Sequence, residues 1–168
     1  MTAVKSGLDR ILAVICWILF ALLVVTVVWQ VFSRQVLDAP STWSEELARY
    51  EFVWLGFFAA ALVFSERGHI AVDFLVRKFS ENAQRVVAIG VQVLIIVFAL
   101  GALVWGGWRA AMGAWGQSLS ALPTQLGVMY LVMPIAGLFI TFYAVYHLQL
   151  VVRRKEEPLG YAEVDEAI

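Results

Sequence analysis

Four long apolar runs, roughly Ile11–Phe32, Leu47–Ser65, Val86–Trp108 and Val128–Val152, divide this chain of 168 residues. A bilayer demands about 20 such residues for each helix that crosses it, and a water-soluble core has no use for so many in succession. No Asp, Glu, Lys or Arg lies near the middle of any run. Carriers that move ions or protons usually keep ionisable groups inside the membrane. The pattern therefore describes a chain that sits in a membrane and holds something, with the transport chemistry done elsewhere. The predicted fold is an all-α membrane protein of four transmembrane helices. It forms a single integral-membrane domain over 1–168, with spans near 11–32, 45–65, 86–108 and 128–152.

Composition removes several other readings. Charged residues make up only 15% of the chain, against about 25% in soluble domains. A net charge of −1, with no Lys/Arg-rich stripe, argues against nucleic acid as a partner. Cys16, the lone cysteine, lies inside the first run, so intramolecular disulfides and CxxC-type metal or haem motifs are absent. It reads as a small packed or membrane-facing residue. Lys5 and Arg10 precede the first run as in a secretory signal. However, 22 apolar residues exceed the about 7–15 of such a signal, and no A-x-A site follows at Val31-Phe32-Ser33-Arg34. The run is expected to stay as a membrane anchor.

The distribution of Lys and Arg sets the orientation. With both termini cytoplasmic, nine basic residues lie inside (Lys5, Arg10, Arg67, Arg77, Lys78, Arg85, Arg153, Arg154 and Lys155) and three outside (Arg34, Arg49 and Arg109). The second run is short: residues 52–65 are free of charge between Glu51 and Glu66, which gives roughly 21 Å of helix against a ~30 Å hydrocarbon layer. A re-entrant segment competes with a true span here. Removing the span would put basic residues on the wrong side, so it is kept and lengthened outward. Along that extension Glu45 and Glu46 stand four and three residues from Arg49, a spacing that lets them neutralise one another.

Pro40 stops the first connection, and Thr42-Trp43-Ser44-Glu45 fits a capping box, with Thr42 as the cap and Glu45 three residues on. Pro123-Thr124 plays a similar part before the fourth helix. Between helices two and three, Val72, Leu75, Val76 and Phe79 line one face at helical spacing, with Asp73, Arg77 and Glu81 opposite. This predicts a short amphipathic helix over 70–81 in the cytoplasmic interface, with a plain loop as the alternative. Residues 155–168 read as a flexible, acidic tail.

Trp29, Trp43, Trp105, Trp108, Trp115 and Tyr130 cluster near the outer boundary, as aromatic belts do. Part of that band is available to an external protein. Gly56/Ala60, Ala102/Gly106 and Gly107/Ala111 have the four-residue spacing that lets helix backbones approach, and internal packing is the expected use. Glu51 is the oddity: on a helical projection it lies opposite Glu45, Glu46 and Arg49. It either snorkels to the outer surface or faces a polar site on another subunit.

No Ser/His/Asp spacing, intramembrane carboxylate pair or glycine-rich phosphate loop is present, so neither an enzyme nor a catalytic residue is predicted. His69 and His147 are the only histidines. Both are expected near the cytoplasmic boundary, where a bis-His haem site is conceivable and an interfacial role more usual. No cofactor and no metal is predicted. An exporter of the small multidrug resistance kind uses a carboxylate in its first helix, and Ile11–Phe32 has none. An anchor for a redox complex and an unrelated scaffold subunit stand as alternatives.

The stretch Trp43-Ser44-Glu45-Glu46-Leu47-Ala48-Arg49-Tyr50, then Phe52-Val53-Trp54, then Gly68-His69-Ile70-Ala71-Val72-Asp73, resembles the small permease subunit of tripartite ATP-independent periplasmic (TRAP) transporters. Its W-x-E-E start to helix two and its H-I-x-V-D segment match that DctQ-like family's pattern, as do Leu122-Pro123, Tyr130 and Pro134-Ile135-Ala136-Gly137. The resemblance implies a division of labour in the bacterial inner membrane. A periplasmic binding protein captures an organic acid, and a large permease subunit carries it inward, generally driven by sodium. The small subunit binds the large one among the membrane lipids and helps dock the binding protein. By carry-over, Trp43, Glu45, Glu46 and Arg49 order the outer start of helix two, and His69 and Asp73 order the inner turn after it. Each is either a structural anchor or a partner contact. Glu51 departs from the pattern, where an apolar residue is expected. With Trp105, Trp108 and Trp115 it forms the set of candidate partner contacts.

Overall fold

A computed structural model describes residues 2–65 and 80–153 of the chain. His69, Asp73, the 155–168 tail and the expected 70–81 helix, apart from its last two positions, lie outside the described residues. Ser80 is extended and precedes a helix that begins at Glu81.

Four helical rods long and apolar enough to cross a membrane make up the described fold. The first is α1, Thr2–Gln35. The second is α2, Thr42–Ser65, whose 24 residues give about 36 Å. The short apolar run is thus completed by a polar first turn. The third rod runs from α3, Glu81–Phe98, through a π-helical stretch at Ala99–Gly106, into α4, Gly107–Gly113. Gly101 and Gly106 stand in that stretch five residues apart, the spacing of a π-helical hydrogen bond. The fourth rod is α5, Leu126–Tyr130, followed by α6, Val132–Val152. The break between them is caused by Pro134, which cannot donate to the carbonyl four residues back and crowds it.

The rods do not pack in chain order. α1 lies on α2, α2 on α6, and α6 on α3 and the π-helical stretch, so the last helix occupies the middle. It accordingly carries more of the buried residues than any other helix, among them Val132, Ile140, Tyr143 and His147. The core joins Leu12 of α1, Phe58 and Ala61 of α2, Ala99, and Val132, Ile140 and Tyr143. Phe58 meets Trp54 and Phe139 edge-on, with ring centroids 6.0 and 6.5 Å apart. Close approach of the third and fourth rods needs glycine on both. A Cβ on Gly107 would stand 2.6 Å from Met133 Cβ, and one on Gly137 would stand 2.8 Å from Leu103 Cβ. Of the three small-residue pairs, only Gly107/Ala111 is buried in this way; Gly56, Ala60 and Ala102 face outward.

Candidate functional site

The polar side chains gather at the two ends of the bundle, and each end is built differently. At one end, the chain between α4 and α5 folds back on itself. Leu119 N–H donates to the Thr124 carbonyl at 3.0 Å and Leu126 N–H to that of Gln117 at 2.8 Å, with Ser118 bridged to Gln125. Pro123 sits in the turn. The tip aims three successive N–H groups, of Ser120, Ala121 and Leu122, at the Glu46 carboxylate, at 3.2, 2.7 and 3.0 Å. A carboxylate accepting several backbone N–H bonds forms charge-assisted bonds about twice as strong as neutral ones. Glu46 also stands near the α2 N-terminus, where the helix dipole favours negative charge. One residue of helix two therefore pins the hairpin that joins helices three and four. A second tie comes from Trp54, whose indole N–H donates to the Met129 carbonyl at 3.0 Å, beside the α5–α6 break.

Thr42 is itself the first helical residue, so Ser41, whose buried hydroxyl has no partner, stands at the cap position in place of Thr42. The Ser44 hydroxyl, fully buried, donates to the Ser41 carbonyl at 2.9 Å. Glu45 pairs with Arg49 at 3.8 Å, both side chains being exposed, a contact worth little. Trp43 is exposed on the same end, as are Trp115 and Tyr130. Trp105 and Trp108 are exposed on the third rod. None of these four tryptophans joins Glu46.

Glu51 does not snorkel to the outer surface. It is only 8% exposed and faces α1, where the Thr26 hydroxyl donates to its Oε1 at 3.3 Å, while Oε2 has no partner. Because α2 starts at Thr42, Glu51 is nearer the middle of its helix than the apolar run alone suggests.

Sequence reasoning missed the cluster at the opposite end. Lys5 Nζ contacts Asp9 Oδ2 and the Ser65 hydroxyl, each at 2.9 Å, and the Ser65 hydroxyl donates to Asp9 Oδ1. His147 Nε2 lies 3.2 Å from the Ser65 carbonyl, at the last residue of α2. Tyr143 is fully buried, with its hydroxyl beside Asp9. Three helices are thereby joined around one ion pair. Two i,i+4 spacings, Lys5–Asp9 and Tyr143–His147, were the available signal. Among the described residues, no three His, Cys, Asp or Glu side chains converge as metal ligands would.

A four-helix, multi-pass membrane protein whose polar groups tie helices to one another is the class so defined. Residues 23–154 match the family described as "Tripartite ATP-independent periplasmic transporters, DctQ component", and the chain belongs to that family of transporter membrane subunits rather than to any enzyme family. It is 28% identical over 124 residues to the sialic acid TRAP transporter small permease protein SiaQ of Vibrio cholerae, covering 74% of this chain and 71% of that one. A putative TRAP transporter small permease protein of Haemophilus influenzae is 25% identical over 144 residues, covering 84% and 87% of the two chains. A shorter stretch of 68 residues, 40% of this chain, is 35% identical to 11% of the sialic acid TRAP transporter permease protein SiaT of Haemophilus influenzae.

Proposed function

We propose that this chain binds and scaffolds the large permease subunit of a TRAP-type secondary transporter, for sodium-driven uptake of an organic acid delivered by a periplasmic binding protein. It resides in the bacterial inner membrane with both termini cytoplasmic. The Glu46 hairpin is then periplasmic, and the Lys5 cluster lies at the inner face. The observation that carries this reading is the use made of polar groups among the described residues. Glu46, Trp54, Lys5, Asp9 and Ser65 each fasten one helix to another. Glu51 is closed against α1. The outward faces of α1 and the third rod are apolar through their middle stretches, with Trp17, Val25, Leu94 and Val97 among the exposed residues. Apolar faces at membrane depth suit lipid and a companion membrane protein, and a rigid periplasmic hairpin suits docking. The names of SiaQ and SiaT attach sialic acid, itself an organic acid, to those relatives, which supports the cargo class.

Co-expression with a large TRAP permease, followed by pull-down on a tagged copy of this chain, tests the proposal. Trp43→Ala combined with Glu46→Ala should lower the yield of complex and leave substrate preference alone. Altered preference with normal assembly would contradict it. So would gradient-driven solute accumulation in vesicles containing this chain alone.

A further inference from the structure

The hydrophobic core stops at one level of the bundle. Its members on the third rod are Ile95, Ala99 and Leu103, those on the fourth begin at Val132, and none lies between Gly107 and Leu131. That outer segment, made of α4, the hairpin and α5, buries only glycine and alanine: Gly107, Ala111, Ala114 and Gly127. Its large side chains Trp108, Met112, Trp115 and Tyr130 are exposed. Within itself, however, the segment is tight. Gly127 N–H donates to the Ala114 carbonyl at 3.2 Å and Leu126 N–H to that of Gln117 at 2.8 Å. Gly127 has no room for a Cβ beside the Ala111 carbonyl. A part that is coherent internally and adds little to the common core can move apart from it at low cost.

Both places where the chain crosses into this segment are irregular. On the third rod the π-helical stretch Ala99–Gly106 ends where the segment begins. On the fourth, Pro134 breaks the rod just past Leu131. π-Bulges and prolines are where helices bend. The two irregularities lie side by side, since a Cβ on Gly107 would stand 2.9 Å from Pro134 Cδ. One axis therefore passes through both. α2 packs on α6 and makes no comparable packing with α4 or α5. It is joined to the segment by the Glu46 carboxylate on three hairpin amides and by the Trp54 indole on the Met129 carbonyl. We infer that residues 107–131 form a hinged lever that swings as one body about the Gly107–Pro134 contact and is latched to α2 by Glu46 and Trp54. The lever goes beyond the scaffold role and rests neither on it nor on which end of the bundle faces outward.

Spin-label distances in the full chain, held in lipid nanodiscs, provide the test, with Cys16→Ser clearing the background. One label pair, Thr42→Cys with Ser118→Cys, spans the latch. A second, Met112→Cys with Gln125→Cys, lies within the segment, and all four positions are exposed. Glu46→Ala combined with Trp54→Phe releases the latch. A swing of about 20° on α4, an arm of about 10 Å, moves its far end by about 3–4 Å. The first distribution should widen or shift by at least that much, while the second stays unchanged. Adding Pro134→Ala, which lets the fourth rod run on as unbroken helix, should return the first distribution to its parent's width. Amide exchange gives a second reading of the latch-release protein: the Ser120, Ala121 and Leu122 amides should lose protection and those within α4 should keep it. An unmoved first pair after latch release would overturn the lever. Widening of the second pair, or loss of protection throughout 107–126, would overturn it as well, because the segment would then melt instead of swinging. An undiminished swing in the Pro134→Ala protein would overturn the hinge.

Discussion

Alanine in place of glycine should have opposite effects at two positions of this fold. Gly127 opens α5 against the end of α4. A Cβ there would stand 2.5 Å from the Ala111 carbonyl oxygen and 2.9 Å from Trp115 Cα. Both neighbours are backbone, so relief requires the hairpin itself to shift. Overpacking of this kind costs about 1–3 kcal/mol. The better helix propensity of alanine offsets about 0.5–1 kcal/mol of that. Taking the middle of each range, Gly127→Ala should therefore lose about 1.3 kcal/mol net, a factor of about 8 in the folding equilibrium. At Gly56, in the middle of α2, a Cβ meets nothing within 4 Å. Gly56→Ala should gain about 0.5–1 kcal/mol from propensity alone. Reversible unfolding of the isolated chain by denaturing detergent, followed by circular dichroism, measures both. Equal signs, or a Gly127→Ala protein as stable as its parent, would refute the close packing on which the hairpin's placement depends.

Three further outcomes follow from the polar ties. Glu46→Gln keeps an acceptor but loses the charge, so the Ser120–Leu122 amides should exchange faster with solvent while amides in α6 keep their protection. Asp9→Asn should destabilise the protein by about 2 kcal/mol, because Lys5 and Ser65 both lose a charged partner; thermal unfolding in detergent reads this, and Ser65→Ala should recover none of it. Trp54→Phe keeps the edge-on contact with Phe58 but leaves the Met129 carbonyl without its donor, costing about 0.6–1.7 kcal/mol by the same assay.

Spans and helix identity were readable because hydrocarbon thickness imposes a length that no other environment requires. The pairing partner of Glu46 was not readable. Arg49, three residues on, was the expected partner, whereas the actual donors are main-chain N–H groups more than seventy residues away. Any residue type presents such donors, so no side-chain pattern marks them. Glu51 misled for a related reason. A helical projection shows which face it shares, but not that Thr26 of another helix covers that face. The Lys5 cluster escaped notice because its members come from three separate helices. Their short-range spacings gave only half of each contact. The four-residue stripes over-predicted packing: Gly56 and Ala60 satisfy the spacing and still face outward.

The central position of α6 bears on how the molecule is made. Ribosomes release α2 and α3 long before residue 126, and those two rods find their common neighbour only in a segment made after both. A nascent chain halted before that point holds α1 against α2 and has only the Glu46 hairpin bonds to tie the third rod to them. Arrival of α6 is then the step that turns separate spans into one body, and products that stop short of it should be conspicuous to membrane proteases.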